Sequence, residues 1–171
     1  ILLSNIAFIG CVYLLYKLTK QLFNSKIAFA STLLFSTSPL SYVFSALMSE
    51  SLFAFLLLLT LLLTINKRYI LAGLVGCLLG ATRNTGALVV IPMVLIYWKQ
   101  NKENFNLKKL NWSVLISLLL VPVGVAIYSL YLWYKVSDPL AFIHIQSFWE
   151  KPVGGIHPLL AIPFSIFDYT L

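Results

Sequence analysis

The sequence predicts an all-α, polytopic helical membrane protein, and three observations carry that prediction. Hydrophobic residues make up 60% of the chain and charged residues only 10%, with a mean hydropathy of +0.93. A soluble domain is about 45–50% apolar and about 25% charged. The apolar residues fall into about six or seven runs separated by short polar breaks, a spacing suited to membrane helices. Lysine and arginine gather in alternate breaks, which reads as topology rather than as a nucleic-acid surface, despite a net charge of +7.

The first run covers about residues 1–16 and is followed by a basic loop, Lys17–Lys26. It starts at Ile1 with neither an initiator Met nor a basic leader, so the expectation is a span of an incomplete chain rather than a signal peptide. The second runs over about 27–47, with Ser38-Pro39 as a kink or break, and the third over about 51–65, ending at Asn66-Lys67-Arg68. Tyr69–Trp98 is too long for one span and is interrupted by Arg83-Asn84-Thr85-Gly86. Each half is about 14 residues, roughly 21 Å of helix against a hydrocarbon core of about 30 Å. Two short helices meeting at a polar break are expected, a geometry tolerated at membrane depth only beside protein or a wet cavity.

A polar loop, Lys99–Asn111, leads into a long span over about 112–134. Residues 135–171 mix prolines with aromatics and are expected to form a non-cytoplasmic loop and the start of another helix, within a single transmembrane domain covering 1–171. Cys11 and Cys77 sit inside apolar runs without metal or disulfide spacing, and read as small buried hydrophobes. No cofactor or metal site is indicated by the spacing of His, Cys and carboxylates.

Counting spans alternately puts Lys17, Lys20, Lys26, Lys67, Arg68, Lys99, Lys102, Lys108 and Lys109 on one side, leaving Arg83, Lys135 and Lys151 on the other. The larger set is expected in the cytoplasm. Glu50, Arg83, Asp138, Glu150 and Asp168 then gather at the opposite face, and Glu103 alone among the acids is cytoplasmic.

Three constellations carry candidate chemistry. Glu50, between Ser49 and Ser51, stands where a helix starts; a plain reading has Ser49 capping that helix and Glu50 facing its positive end. Arg83 with Asn84 is more telling, since an ionised group at membrane depth costs roughly 2.5–3.5 kcal/mol on insertion scales and seldom sits there idle. A guanidinium presents a fork of donors suited to phosphate, and a helix start beside it adds an anion site. The plainer alternative is an Arg that snorkels to the interface or pairs with Glu50. The third is Asp138-Pro139 through His144, Gln146, Trp149 and Glu150, where an aromatic beside Gln and His suits a sugar, although Trp133, Tyr134 and Trp149 also fit an interfacial belt.

Together these motifs resemble the PIG-V family, the second mannosyltransferase of glycosylphosphatidylinositol (GPI) assembly, and its prokaryotic relatives. The stretches that carry the resemblance are Ser38-Pro39 with Phe44–Phe53, then Gly80-Ala-Thr-Arg-Asn-Thr-Gly86, then Asp138–Trp149, in that order. The resemblance implies a GT-C type membrane glycosyltransferase that uses a polyprenyl-phosphate sugar donor, typically dolichyl-phosphate mannose, on the non-cytoplasmic face. It implies a catalytic acid in an earlier non-cytoplasmic loop, upstream of this chain, and substrate-binding roles for Glu50, Arg83, Asn84, His144, Gln146 and Trp149. The acceptor would be a lipid or glycan. The membrane would be the endoplasmic reticulum in a eukaryote or the plasma membrane in a prokaryote, the latter favoured by short loops and a Lys/Asn/Ile-rich character. The competing readings are a transporter or flippase gated by a Glu50–Arg83 pair, and a non-catalytic membrane subunit.

Overall fold

The structure, a computed structural model, describes residues 2–38, 49–101 and 112–144. Among these, helix is the regular structure throughout, as the composition predicts. The elements are α1 (Leu2–Leu22), α2 (Ser25–Thr37), α3 (Glu50–Ile65), α4 (Tyr69–Thr82), a 3-10 helix (Asn84–Val89), α5 (Val90–Gln100) and α6 (Trp112–Val136). Residues 39–47 of the expected second segment, most of the Lys99–Asn111 loop, and Gln146 and Trp149 lie outside the described residues. The chain forms two compact units, Ile1–Tyr128 and Ser129–Leu171.

Two helices, α1 and α6, are long and apolar enough to cross a membrane, whereas α3 and α4 are apolar but shorter. At 16 residues α3 spans roughly 24 Å, less than the thickness expected of a full span.

The sequence reading ended the first segment near residue 16, but α1 continues to Leu22 and carries Lys17 and Lys20. Lysine is a good helix former, and each ammonium lies over the ring one turn back. Lys17 Nζ is 5.9 Å from the Tyr13 ring centre and Lys20 Nζ is 5.8 Å from that of Tyr16. A two-residue link then reverses the chain. Asn24 caps α2 by accepting from the Ile27 amide at 2.9 Å. Helix α2 stops at Thr37 because Ser38 precedes Pro39 and takes an extended ψ of 137°.

Helix α3 is the centre of the first unit, packing on α1, α4 and α5. Leu56 of α3 joins Ala72, Leu79, Val89, Met93 and Val121 in the main buried cluster, while Leu62 meets Leu14 and Leu18 of α1. Two threonine hydroxyls of α3 satisfy themselves locally: Thr60 donates to the Leu56 carbonyl and Thr64 to the Thr60 carbonyl, both at 2.8 Å.

At its far end α3 closes with a paired cap. The Arg68 amide bonds the Leu63 carbonyl at 2.9 Å, and the Lys67 amide bonds Thr64 at 3.1 Å. This places Lys67 at φ 60°, a left-handed position usually given to glycine.

Helices α4 and α6 approach along a seam of small residues. A Cβ on Gly73 would lie 2.6 Å from Ser117 Cα, and one on Gly124 would overlap the Cys77 carbonyl oxygen. Close approach of this kind lets dispersion and backbone contacts hold apolar helices where no hydrophobic drive operates. Pro122 lies inside α6 and cannot donate to the helix ladder, a defect that membrane helices accommodate.

Candidate functional site

The break foreseen at Arg83 is present. Helix α4 ends at Thr82, Arg83 is extended at φ −152° and ψ 137°, and the 3-10 helix starts at Asn84. Three contacts shape it. Thr82 Oγ1 donates to the Leu79 carbonyl at 2.7 Å, the Gly86 amide bonds the Arg83 carbonyl at 2.8 Å, and Asn84 Oδ1 accepts from the Thr85 amide at 2.9 Å. Gly86 is required here, because a Cβ would meet the Leu79 carbonyl oxygen at 2.5 Å. The turn therefore folds back against the last turn of α4 and throws the Arg83 side chain outward.

Arg83 Nη1 donates to Glu50 Oε1 at 3.0 Å. The Arg83 side chain is 45% exposed and that of Glu50 29%, so the pair sits at a boundary rather than in the core. Phe53, one turn after Glu50, supplies a second contact: its ring centre is 5.9 Å from Arg83 Cζ. The i, i+3 spacing of Glu50 and Phe53 was the signal that could have named this residue in advance.

Ser49 does not play the capping role expected of it: it makes no side-chain cap bond, and its backbone is helical at φ −77° and ψ −3°. An N-cap needs an extended backbone to aim its oxygen at the following amides, and Ser49 lacks one. Glu50 does occupy the first turn of α3. Its second oxygen, Oε2, is buried without a hydrogen-bond partner among the described residues, as are Ser51 Oγ and Ser117 Oγ. A buried carboxylate oxygen left unmade is costly, so Oε2 is an acceptor in want of a donor.

The third constellation belongs to the second unit. After α6, Ser137 takes φ 59° and Asp138 opens a new turn, with Oδ1 accepting from the Leu140 amide at 2.9 Å. Asp138 Oδ2 lies 2.7 Å from His144 Nδ1, which donates to the ionised carboxylate. The hydrogen bond from His144, then that from the Leu140 amide, holds the Asp138 carboxyl below the usual range. The sequence places both residues in the third constellation but gives a substrate role to His144 alone; their pairing depends on the turn that the Asp138-Pro139 step begins. Among the described residues, no three His, Cys, Asp or Glu side chains gather to hold a metal ion.

The family profile described as dolichyl-phosphate-mannose-protein mannosyltransferase matches residues 1–133, from α1 to the last turn of α6. The chain belongs to this family. It is also 39% identical over 96 residues to proteins named GPI mannosyltransferase 2 from two strains of Cryptococcus neoformans var. neoformans serotype D, JEC21 and B-3501A. Those matches cover 54% of this chain and 22% of each relative, so the chain spans about a fifth of the length of the curated relatives it matches. No solved structure matches. The resemblance drawn from the three motifs therefore holds: this is a PIG-V-like, GT-C type helical membrane protein.

Proposed function

We propose that this chain is part of an integral membrane glycosyltransferase that moves mannose, or a similar hexose, from a polyprenyl-phosphate donor to a lipid-linked or glycan acceptor. The observation that carries the reading is the Glu50–Arg83 pair, set at a helix break in a chain of a mannosyltransferase family. In such a transfer the acceptor hydroxyl attacks the anomeric carbon, the bond from that carbon to the phosphate oxygen breaks, and the lipid phosphate leaves with the bonding electrons. Charge therefore grows on the phosphate. Arg83 opposes that charge with its remaining donors, and Asn84 beside it contributes its amide.

Glu50 holds the guanidinium through Oε1, while Oε2 is left to accept from a sugar hydroxyl. His144, Gln146 and Trp149 bind the sugar or the acceptor. A carboxylate outside this chain takes the proton of the acceptor hydroxyl. In this reading residues 1–171 form one multi-pass transmembrane domain, the active face is non-cytoplasmic, and the lysine-rich helix ends lie in the cytoplasm.

The test is a transfer assay on the purified full-length protein, with radiolabelled polyprenyl-phosphate mannose and a membrane lipid extract as acceptor pool. Arg83→Ala is expected to cut transfer about 10²–10³-fold, the usual cost of losing one charge-stabilising donor, with folding retained. Full activity in that variant would remove the phosphate role. The broken helix and its ion pair also suit a transporter gate, and accumulation of unmodified substrate without labelled product would favour that reading.

A further inference from the structure

The end of the helix bundle opposite Glu50 and Arg83 carries a second polar assembly. The ends of α1, α3 and α5 and the start of α4 are tied there by side-chain amides. Gln21 Nε2 donates to Asn66 Oδ1 at 3.0 Å, Gln100 Nε2 donates to the Ile65 carbonyl at 2.9 Å, and Tyr69 donates to Gln100 Oε1 at 2.9 Å. Lys17, Lys20, Lys67, Arg68 and Lys99 ring this junction, and all are exposed. Among the described residues the carboxylates are Glu50 and Asp138, and each is engaged elsewhere, by Arg83 and by His144. The ring of cations therefore has no acidic counterpart among these residues.

The last turn of α3 separates two hollows of different character. On one flank a cavity of about 450 Å³ has Lys17, Asn66 and Arg68 above Leu14, Leu62 and Leu63. On the other flank a cavity of about 490 Å³ is walled by Leu18, Leu61, Ile65, Pro92 and Ile96, with Lys99 among its lining. Arg68 also lines a third cavity of about 570 Å³, with Lys67, Tyr69 and Ser113. The first cavity, with cations at its rim and leucines at its floor, matches a molecule with an anionic head and a hydrocarbon tail. Trp98 and Tyr97 stand at the same level, as expected at the boundary between hydrocarbon and headgroups.

We propose that this end of the bundle binds an anionic phospholipid in the first of these cavities, with its phosphate between Lys17 and Arg68 and an acyl chain along the floor of Leu14, Leu62 and Leu63. The site is distinct from the one assigned to the sugar donor and does not rest on that assignment. Basic hollows between membrane helices recognise anionic headgroups by charge, and the leucine floor adds apolar area that a free anion cannot use.

The full-length protein, purified into nanodiscs of phosphatidylcholine with a minor fraction of phosphatidylglycerol and released for native mass spectrometry, gives the readout. Wild type is expected to retain phosphatidylglycerol over phosphatidylcholine, and Lys17→Gln with Arg68→Gln to lose that preference about tenfold. Lys26→Gln, on the same side but outside these hollows, should retain it. Equal loss in the Lys26 variant would reduce the site to general surface charge and overturn the proposal, as would unchanged retention in the double variant. If the double variant does not fold, thermal stabilisation of wild type decides. A rise with added phosphatidylglycerol, but not with phosphatidylcholine or inorganic phosphate, supports the site. An equal rise with inorganic phosphate, or none with the lipid, refutes it.

Discussion

Replacing Gly124 by alanine adds one methyl group at the tightest point between α4 and α6. The new Cβ would overlap the Cys77 carbonyl oxygen and lie 2.7 Å from the Cys77 carbonyl carbon and 3.1 Å from the Ala81 amide nitrogen. All three neighbours are backbone, so no rotamer change relieves the clash and the helices must separate by roughly 1.5–2 Å to restore ordinary contact. That separation loosens Val121, which is fully buried and packs where Gly76 and Gly80 leave room. Overpacking of this kind costs about 1–3 kcal/mol, against a gain of about 0.8–1.0 kcal/mol from exchanging glycine for alanine in a helix. The expected net loss is up to about 2 kcal/mol, towards the upper end because all the neighbours are backbone. Gly10→Ala is the matched control, because its Cβ would meet the Phe55 ring, at 2.6 Å, and a ring can swing aside. Reversible unfolding of both variants in mixed micelles, followed by helical circular dichroism, should show Gly124→Ala well below Gly10→Ala and wild type. A Gly124→Ala protein as stable as wild type would mean that the two helices do not touch through this glycine.

Three further outcomes are expected. The Glu50–Arg83 pair is partly exposed, so a double-mutant cycle on unfolding should give a coupling of no more than about 1 kcal/mol. Glu50→Gln should nevertheless lower transfer about tenfold, since it loosens the guanidinium, and a loss of stability that matched the loss of activity would speak for a purely structural pair. Lys67→Gly should raise stability by up to about 1 kcal/mol, because it relieves a left-handed backbone, whereas Lys67→Val should lower it. For Asp138, whose carboxyl is lowered, the tie to His144 is fully present above the ordinary carboxyl value of 3.8 and is lost as pH falls through the lowered value. Carboxyl carbon resonances should show that midpoint rising towards the ordinary value in His144→Ala, and an unmoved midpoint would mean that His144 does not hold the carboxylate.

The break at Arg83 was legible in the sequence because its cause is local: a charged residue, an amide and a glycine interrupt two apolar runs, each too short to span alone. The pairing of Arg83 with Glu50 was visible only as an option, since nothing local fixes a contact across 33 positions. It follows from the antiparallel packing of α3 on α4. The C-terminal end of α1 lies beyond the expected one because polarity reads as a loop signal, although Lys17 and Lys20 extend the helix by lying over Tyr13 and Tyr16. The Ser49 cap failed for the complementary reason: residue type suggested it, and the backbone angles denied it. The contacts of Phe53 with Arg83 and of Asp138 with His144 went unseen because each needs a neighbour whose position only the folded chain reveals.

The hairpin of α3 and α4 has unlike ends. One is closed by Glu50 and Arg83, whose charges cancel; the other turns through Lys67 and Arg68, which together carry two positive charges. A hairpin inserted from the side that keeps Lys67 and Arg68 sends a neutral dipole through the hydrocarbon instead of two separate ions. In the proposed reading, the residues that bind the donor at one end thus also lower the barrier to delivering that end across the bilayer. A charge change at either of them would be felt during biogenesis, before any substrate is bound.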